Sequence, residues 1–307
     1  MKTYFDLTEP GLLRTTVGAM AQWRLYVLWV VLTLIPTAIF ALPVFVLLGS
    51  MLDHSVYATQ WAQTFNLNMF TDVGAQLFGT PYPNSMVLGV AGMAAVVLVL
   101  FVGPFLNGAV IASAQANRTL GFSLLIKGGL ALYGRMIRVT IWSVVPLGIA
   151  FSIIHGLSKL TEHRAQSAIL ESTVKFDQRV GLGVTFLLLL LVHISVEAAR
   201  AQFAMNPTRR SAVFAWWRAI RFVKRRPLAV LISYILIEGV AICVVLALAL
   251  LHVNLPHAHL LGVSSTFILT QLTVIVIAWM QVARLLVLSQ LTRETARRRI
   301  EAGLSPN

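Results

Sequence analysis

Six apolar runs, each long enough to cross a bilayer, constrain this chain more than any other feature. They occupy 25–49, 86–112, 139–157, 181–203, 228–251 and 266–290. A helix rises about 1.5 Å per residue, so about 20 apolar residues traverse a hydrocarbon core ~30 Å thick. Hydrocarbon offers no partner to a backbone N–H or C=O. A spanning run must therefore close its own hydrogen bonds, and a run of this length does so as a helix. Composition agrees. Hydrophobic residues make up 58% and charged residues 11%, against about 25% charged in a soluble domain. Mean hydropathy is +0.81. An ordinary soluble enzyme, a disordered tail and a coiled coil are excluded. The expectation is an all-α fold: a polytopic membrane helix bundle forming a single integral domain with six transmembrane helices.

The first run is about twice the length of a signal-peptide core, so it reads as a span rather than a cleavable leader. Pro36 and Pro43 in the first span, Pro104 in the second and Pro146 in the third mark expected kinks.

Charge placement gives an orientation. Lysine and arginine total 24 against 11 acidic residues. All but four of the 24 fall on one side of the six-span layout. The exceptions, Lys159, Arg164, Lys175 and Arg179, share the loop after the third span. Basic residues concentrate in cytoplasmic loops, so both termini are expected in the cytoplasm. The net charge of +13 then reads as a topology signal facing an anionic lipid surface. Nucleic acid is not an expected partner, because the basic face would lie against the membrane. The single cysteine, Cys243, lies inside an apolar run and leaves the redox compartment open.

A similar segment precedes each span that leaves the basic side. The three read GLLRTTVGAMAQWRLYVLW from Gly11, SLLIKGGLALYGRMIRVTIW from Ser123 and SAVFAWWRAIRFVKRRPLAV from Ser211. Each suggests a cytoplasmic interfacial amphipathic helix running into a membrane helix. In the third, Val213, Trp216, Trp217, Ile220 and Val223 share one side, and Arg218, Arg221 and Arg225 another. Pro227 is placed to bend the axis. Asn117 and Asn206 hold matching places after spans two and four. This pattern suggests a three-fold repeat of one interfacial helix and two spans, although convergent amphipathic composition yields the same look. On the opposite side, SVYATQWAQTFNLNMF has helical spacing at Val56, Trp61, Phe65 and Met69 and suits a helix lying on the outer leaflet.

The layout resembles uncharacterised six-span bacterial inner-membrane proteins. The resemblance rests on DHSVYATQWAQTF, on EAARAQFAMNPTRRSAVFAWWRAIRFVKRRP and on QVARLLVLSQL. The second stretch is also distantly similar to the membrane domain attached to some glycerophosphodiester phosphodiesterases. The resemblance implies a bacterial inner membrane and no catalytic residue. Phosphodiesterase chemistry belongs to a separate soluble domain with metal-binding carboxylates and histidines, for which this chain has no room.

Polar residues inside the spans are the candidates for chemistry. Glu238 lies near the middle of the fifth span and His193 near the middle of the fourth. Glu197 follows His193 by one turn, Arg200 follows Glu197, and Arg284 lies toward the basic end of the sixth span. A central charge costs roughly 2.5–3.5 kcal/mol on insertion scales, so such groups face inward and pair. Two readings follow. Glu197 pairs with Arg200 or Arg284 while His193 and Glu238 bond between helices, as structural glue. Alternatively, Glu238, His193 and Glu197 line a proton-coupled path. A metal held by His193, Glu197 and Glu238 lacks a recognised ligand motif. The loop histidines His252, His257 and His259 are read more readily as solvated filler. GLG at 181–183 and GVAG at 89–92 suit close helix packing rather than nucleotide binding. No Walker A, GxSxG or paired-aspartate motif appears, so no enzyme activity, cofactor or metal is expected.

The most specific functional feature is the basic segment ending at Pro227. Arg210, Arg218, Arg221, Lys224, Arg225 and Arg226 accompany Trp216 and Trp217. Each cation near an anionic surface contributes roughly 1 kcal/mol, and tryptophan favours the headgroup zone. The expected function is that of a non-enzymatic inner-membrane protein that binds lipid, or that scaffolds a membrane complex with a protein partner. The alternative is a permease for a small or amphipathic solute.

Overall fold

The computed structural model describes residues 22–53, 55–56, 67–79, 83–116, 120–167, 171–205, 211–254 and 260–301. These residues are helical apart from short connections, with no strand among them. The helices are α1 (Trp23–Leu52), α2 (Leu67–Phe78), α3 (Pro83–Gln115), α4 (Phe122–Trp142), α5 (Val144–Ser167), α6 (Glu171–Met205), α7 (Ala212–Arg225), α8 (Pro227–Asn254) and α9 (Leu260–Glu301). Among the described residues, six helical stretches are long and apolar enough to cross a membrane. The chain is a multi-pass integral membrane protein.

The third candidate span is wider than the expected run: Phe122–Ala165 covers 139–157 and takes in α4, with a one-residue turn at Ser143 whose backbone stays in the right-handed helical region. Pro146 explains the turn: it has no N–H for the Trp142 carbonyl, and its ring crowds that oxygen. Pro36, Pro43 and Pro104 lie within α1 and α3, which continue through them. Pro227 opens α8, where a missing N–H costs nothing, and Arg226 forms the bend behind it. On the opposite side, the polar stretch 158–180, expected as a short exposed helix or loop, is helical over its described residues, with α5 running to Ser167 and α6 starting at Glu171. Most of the surface helix expected around Val56 to Met69, residues 57–66, lies outside the described residues; α2 begins at Leu67 and continues to Phe78. Trp61, Phe65 and the Met69 side chain lie outside the described residues.

Burial concentrates at the end of the bundle where α1 begins and α9 ends. One core gathers Met136, Ile194, Phe203, Ala219, Tyr234 and Val287 from α4, α6, α7, α8 and α9. A second gathers Leu25, Val110, Leu125 and Leu285 from α1, α3, α4 and α9, and Trp279 packs against both. Helix α9 is the shared post: half of its most apolar window is buried, against 6% for α1. Its 42 residues extend about 63 Å at 1.5 Å per residue, beyond any hydrocarbon core.

Helices α3 and α4 approach closely. A Cβ built on Gly108 would stand 2.9 Å from the Gly129 carbonyl oxygen, and one on Gly128 would collide with the Ala112 side chain. Small residues permit this crossing. The glycines expected to pack closely do less. Gly89 and Gly183 have open space around the missing Cβ, and Gly92 meets only the Phe40 ring, at 3.6 Å.

Candidate functional site

The intramembrane polar residues from α6, α8 and α9 meet in one cluster. Glu197 is fully buried on α6 and Arg284 is 4% exposed on α9. Arg284 Nη2 lies 3.1 Å from Glu197 Oε1. Its Nη1 pairs with Glu238 Oε1 on α8, and Nη2 also donates to Gln281. One guanidinium therefore ties two carboxylates on different helices, a task suited to its fork of five donors. Tyr234 on α8 donates a long hydrogen bond of 3.4 Å to Glu197 Oε2. Its ring also lies beneath the Arg284 guanidinium at 5.2 Å, a cation–π distance.

Of the two partners considered for Glu197, the ion pair within reach is Arg284. Arg200 is half-buried one turn further along α6, close enough for its charge to act on both Glu197 and Arg284. Satisfaction is incomplete: Nε of Arg200 and of Arg284 finds no acceptor among the described residues. Glu197 Oε1 meets Arg284 as an ion pair without hydrogen-bond alignment.

His193 occupies the rim. Its side chain is 48% exposed, yet Nε2 is 3.5 Å from Glu197 Oε1 and its ring stands edge-on to Tyr234 at 5.9 Å. Glu238 is partly exposed, at 25%. The cluster is sealed on the α9 side and open at His193 and Glu238. Arg284 fills the position between the carboxylates that a bridging metal would take. No group of three histidine, cysteine or acidic residues assembles among the described residues. His257 and His259 lie outside them.

Helix α7 presents its faces differently from the sequence reading. Its buried stripe is Ala212, Ala215, Ala219 and Phe222, set against a run of buried alanines on α6, Ala198, Ala199 and Ala201. Small side chains on both helices let the backbones approach. In sequence this stripe shows only as alanine at helical spacing, and alanine adds little to an apolar face. Trp216 points inward, donates from Nε1 to Ser195 Oγ at 3.1 Å and meets Trp142 edge-on at 6.0 Å. Trp217 is 51% exposed and Phe214 is 66% exposed. Arg221, Lys224 and Arg225 are exposed with them, while Arg218 and Arg226 are half-buried. The outward face of α7 thus interleaves aromatic and cationic side chains. Arg210, Asn117, Asn206 and the segment from Gly11 up to Ala21 lie outside the described residues.

No family model, curated protein or solved structure matches this chain. The functional reading therefore rests on the residues alone.

Proposed function

We propose that this is a non-enzymatic protein of the bacterial inner membrane, with both termini cytoplasmic, that binds anionic lipid at its basic end and serves as a scaffold there. One observation carries the reading: the outward face of α7 sets Phe214 and Trp217 among Arg221, Lys224 and Arg225. Aromatic rings favour the headgroup layer and cations the anionic surface, so a face bearing both suits that layer. Extraction into polymer nanodiscs, followed by mass spectrometry of co-purifying species, tests it. Enrichment of anionic lipid over the bulk membrane is expected, and it should fall when Arg221, Lys224 and Arg225 are changed together to Gln. Enrichment that ignores those changes would sink the lipid reading. A stoichiometric protein partner would support the scaffold role.

A permease for a small or amphipathic solute is the second reading. It is favoured by His193 beside the fully buried Glu197, with Nε2 3.5 Å from Oε1, an arrangement that lets a proton held on the imidazole pass to an interior carboxylate. Proteoliposome flux tests it: Glu238→Gln and His193→Ala should abolish proton-coupled uptake while the protein still accumulates. Loss of accumulation in both variants would assign these residues to structure.

A further inference from the structure

An open cavity of about 350 Å³ lies where α4, α5 and α7 meet, lined by Arg138, Ile141, Trp142, Val145, Ser211 and Ala212. Three observations give it a chemical character. Its polar side chains are hydrogen-bond donors, with no carboxylate among the described lining residues. Arg138 supplies a fixed positive charge whose guanidinium carries five donors, enough to engage a phosphate beside another contact. Ser211 precedes α7 but its hydroxyl does not cap that helix, so the hydroxyl is available at the cavity edge. Trp142 adds a tryptophan at the turn between α4 and α5, the kind of residue that marks a headgroup layer.

The remaining wall is apolar and continues in one direction. Ile141 and Val145 straddle the turn at Ser143, and both are exposed outward. The candidate span Phe122–Ala165 passes through this point and continues along α5. A ligand held at Arg138 by an anionic head would lay a hydrocarbon tail along Ile141 and Val145, directly into the bilayer. A soluble anion would leave that wall unused.

We propose that this cavity is a binding site for a single anionic phospholipid, with its phosphate on Arg138 and Ser211 and one acyl chain along Ile141, Trp142 and Val145. The inference deepens the lipid-binding reading. It differs from the α7 surface in being an open groove centred on one arginine rather than a charged face that many lipids share.

Native mass spectrometry of the full chain, released from nanodiscs of mixed phosphatidylglycerol and phosphatidylcholine, tests the site. One phosphatidylglycerol per chain should survive detergent washing. Arg138→Gln should lower its occupancy about tenfold or more, the loss expected from one charge-assisted hydrogen bond. Ser211→Phe narrows the mouth while leaving Arg138 in place, and should do the same. This second variant decides the question if Arg138→Gln fails to fold. Changing Arg221, Lys224 and Arg225 to Gln should leave the retained lipid in place, so failure of the α7 reading and failure of this site are separable. Equal retention of phosphatidylcholine, displacement by inorganic phosphate alone, or unchanged occupancy in a folded Ser211→Phe protein would each overturn the site.

Discussion

Arg284 carries the heaviest electrostatic duty in the chain. It is almost fully buried, and two carboxylates from neighbouring helices converge on it. Replacing it by Met strands Glu197 and Glu238 in a low dielectric, the situation in which breaking a buried pair costs about 3–5 kcal/mol. Glu238→Gln retains an acceptor for the guanidinium. Its cost should stay near about 0.6–2 kcal/mol, the range of interhelical polar contacts inside membranes. Equilibrium unfolding of both variants in micelles gives the comparison, and equal losses would mean that Arg284 does not bridge the two acids. The members of this cluster were legible in the sequence, because ionisable residues in apolar runs are few and must find one another. The partner of Glu197 was not. Arg200 shares its helix and Arg284 does not, and only the rotation of α9 against α6 selects the latter. The exposure of His193 was equally hidden, since a residue in the middle of a span faces lipid or core according to packing that sequence distance does not encode.

At the scale of helices, span existence followed from hydrocarbon solvation, and the described spans cover the apolar runs, the third extended by most of a helix, back to Phe122. What escaped was set by contacts between helices. The turn at Ser143 comes from Pro146 acting on a carbonyl one turn earlier, and it falls inside the stretch Phe122–Ala165 rather than at its edge. The α3–α4 crossing depends on Gly108 and Gly128, which are no more conspicuous in sequence than Gly89 or Gly183. The crossing makes a sharp prediction. Gly108→Leu drives a side chain against the backbone oxygen of Gly129, which has no rotamer by which to yield. It should cost about 1–3 kcal/mol, as overpacking does. Gly134 lies on the same α4 with open space around it, and Gly134→Ala should be neutral or stabilise by up to about 1 kcal/mol through helix propensity. Unfolding midpoints for the pair check the claim, and a stable Gly108→Leu protein would refute the close crossing.

The whole molecule is asymmetric along the membrane normal, and that asymmetry links fold to proposed function. The shared cores, the ion-pair cluster and α7 lie toward the end where α1 begins and α9 ends, while the far ends of the spans display mostly exposed apolar side chains. Lysine and arginine follow the same division. If the basic end faces the cytoplasm, it meets a leaflet whose anionic surface attracts each nearby cation by about 1 kcal/mol, and the lipid reading gains its driving force. Opposite orientation would remove that force and set the basic loops against the positive-inside tendency. Two exposed serines report the orientation with little disturbance: Ser123 near the start of α4 and Ser172 near the start of α6. In a Cys243→Ala background, a membrane-impermeant maleimide added to spheroplasts should label Ser172→Cys directly. It should reach Ser123→Cys only after the membrane is opened. The reverse pattern would place the basic end outside, and the anionic-lipid proposal would then fail together with the topology on which it depends.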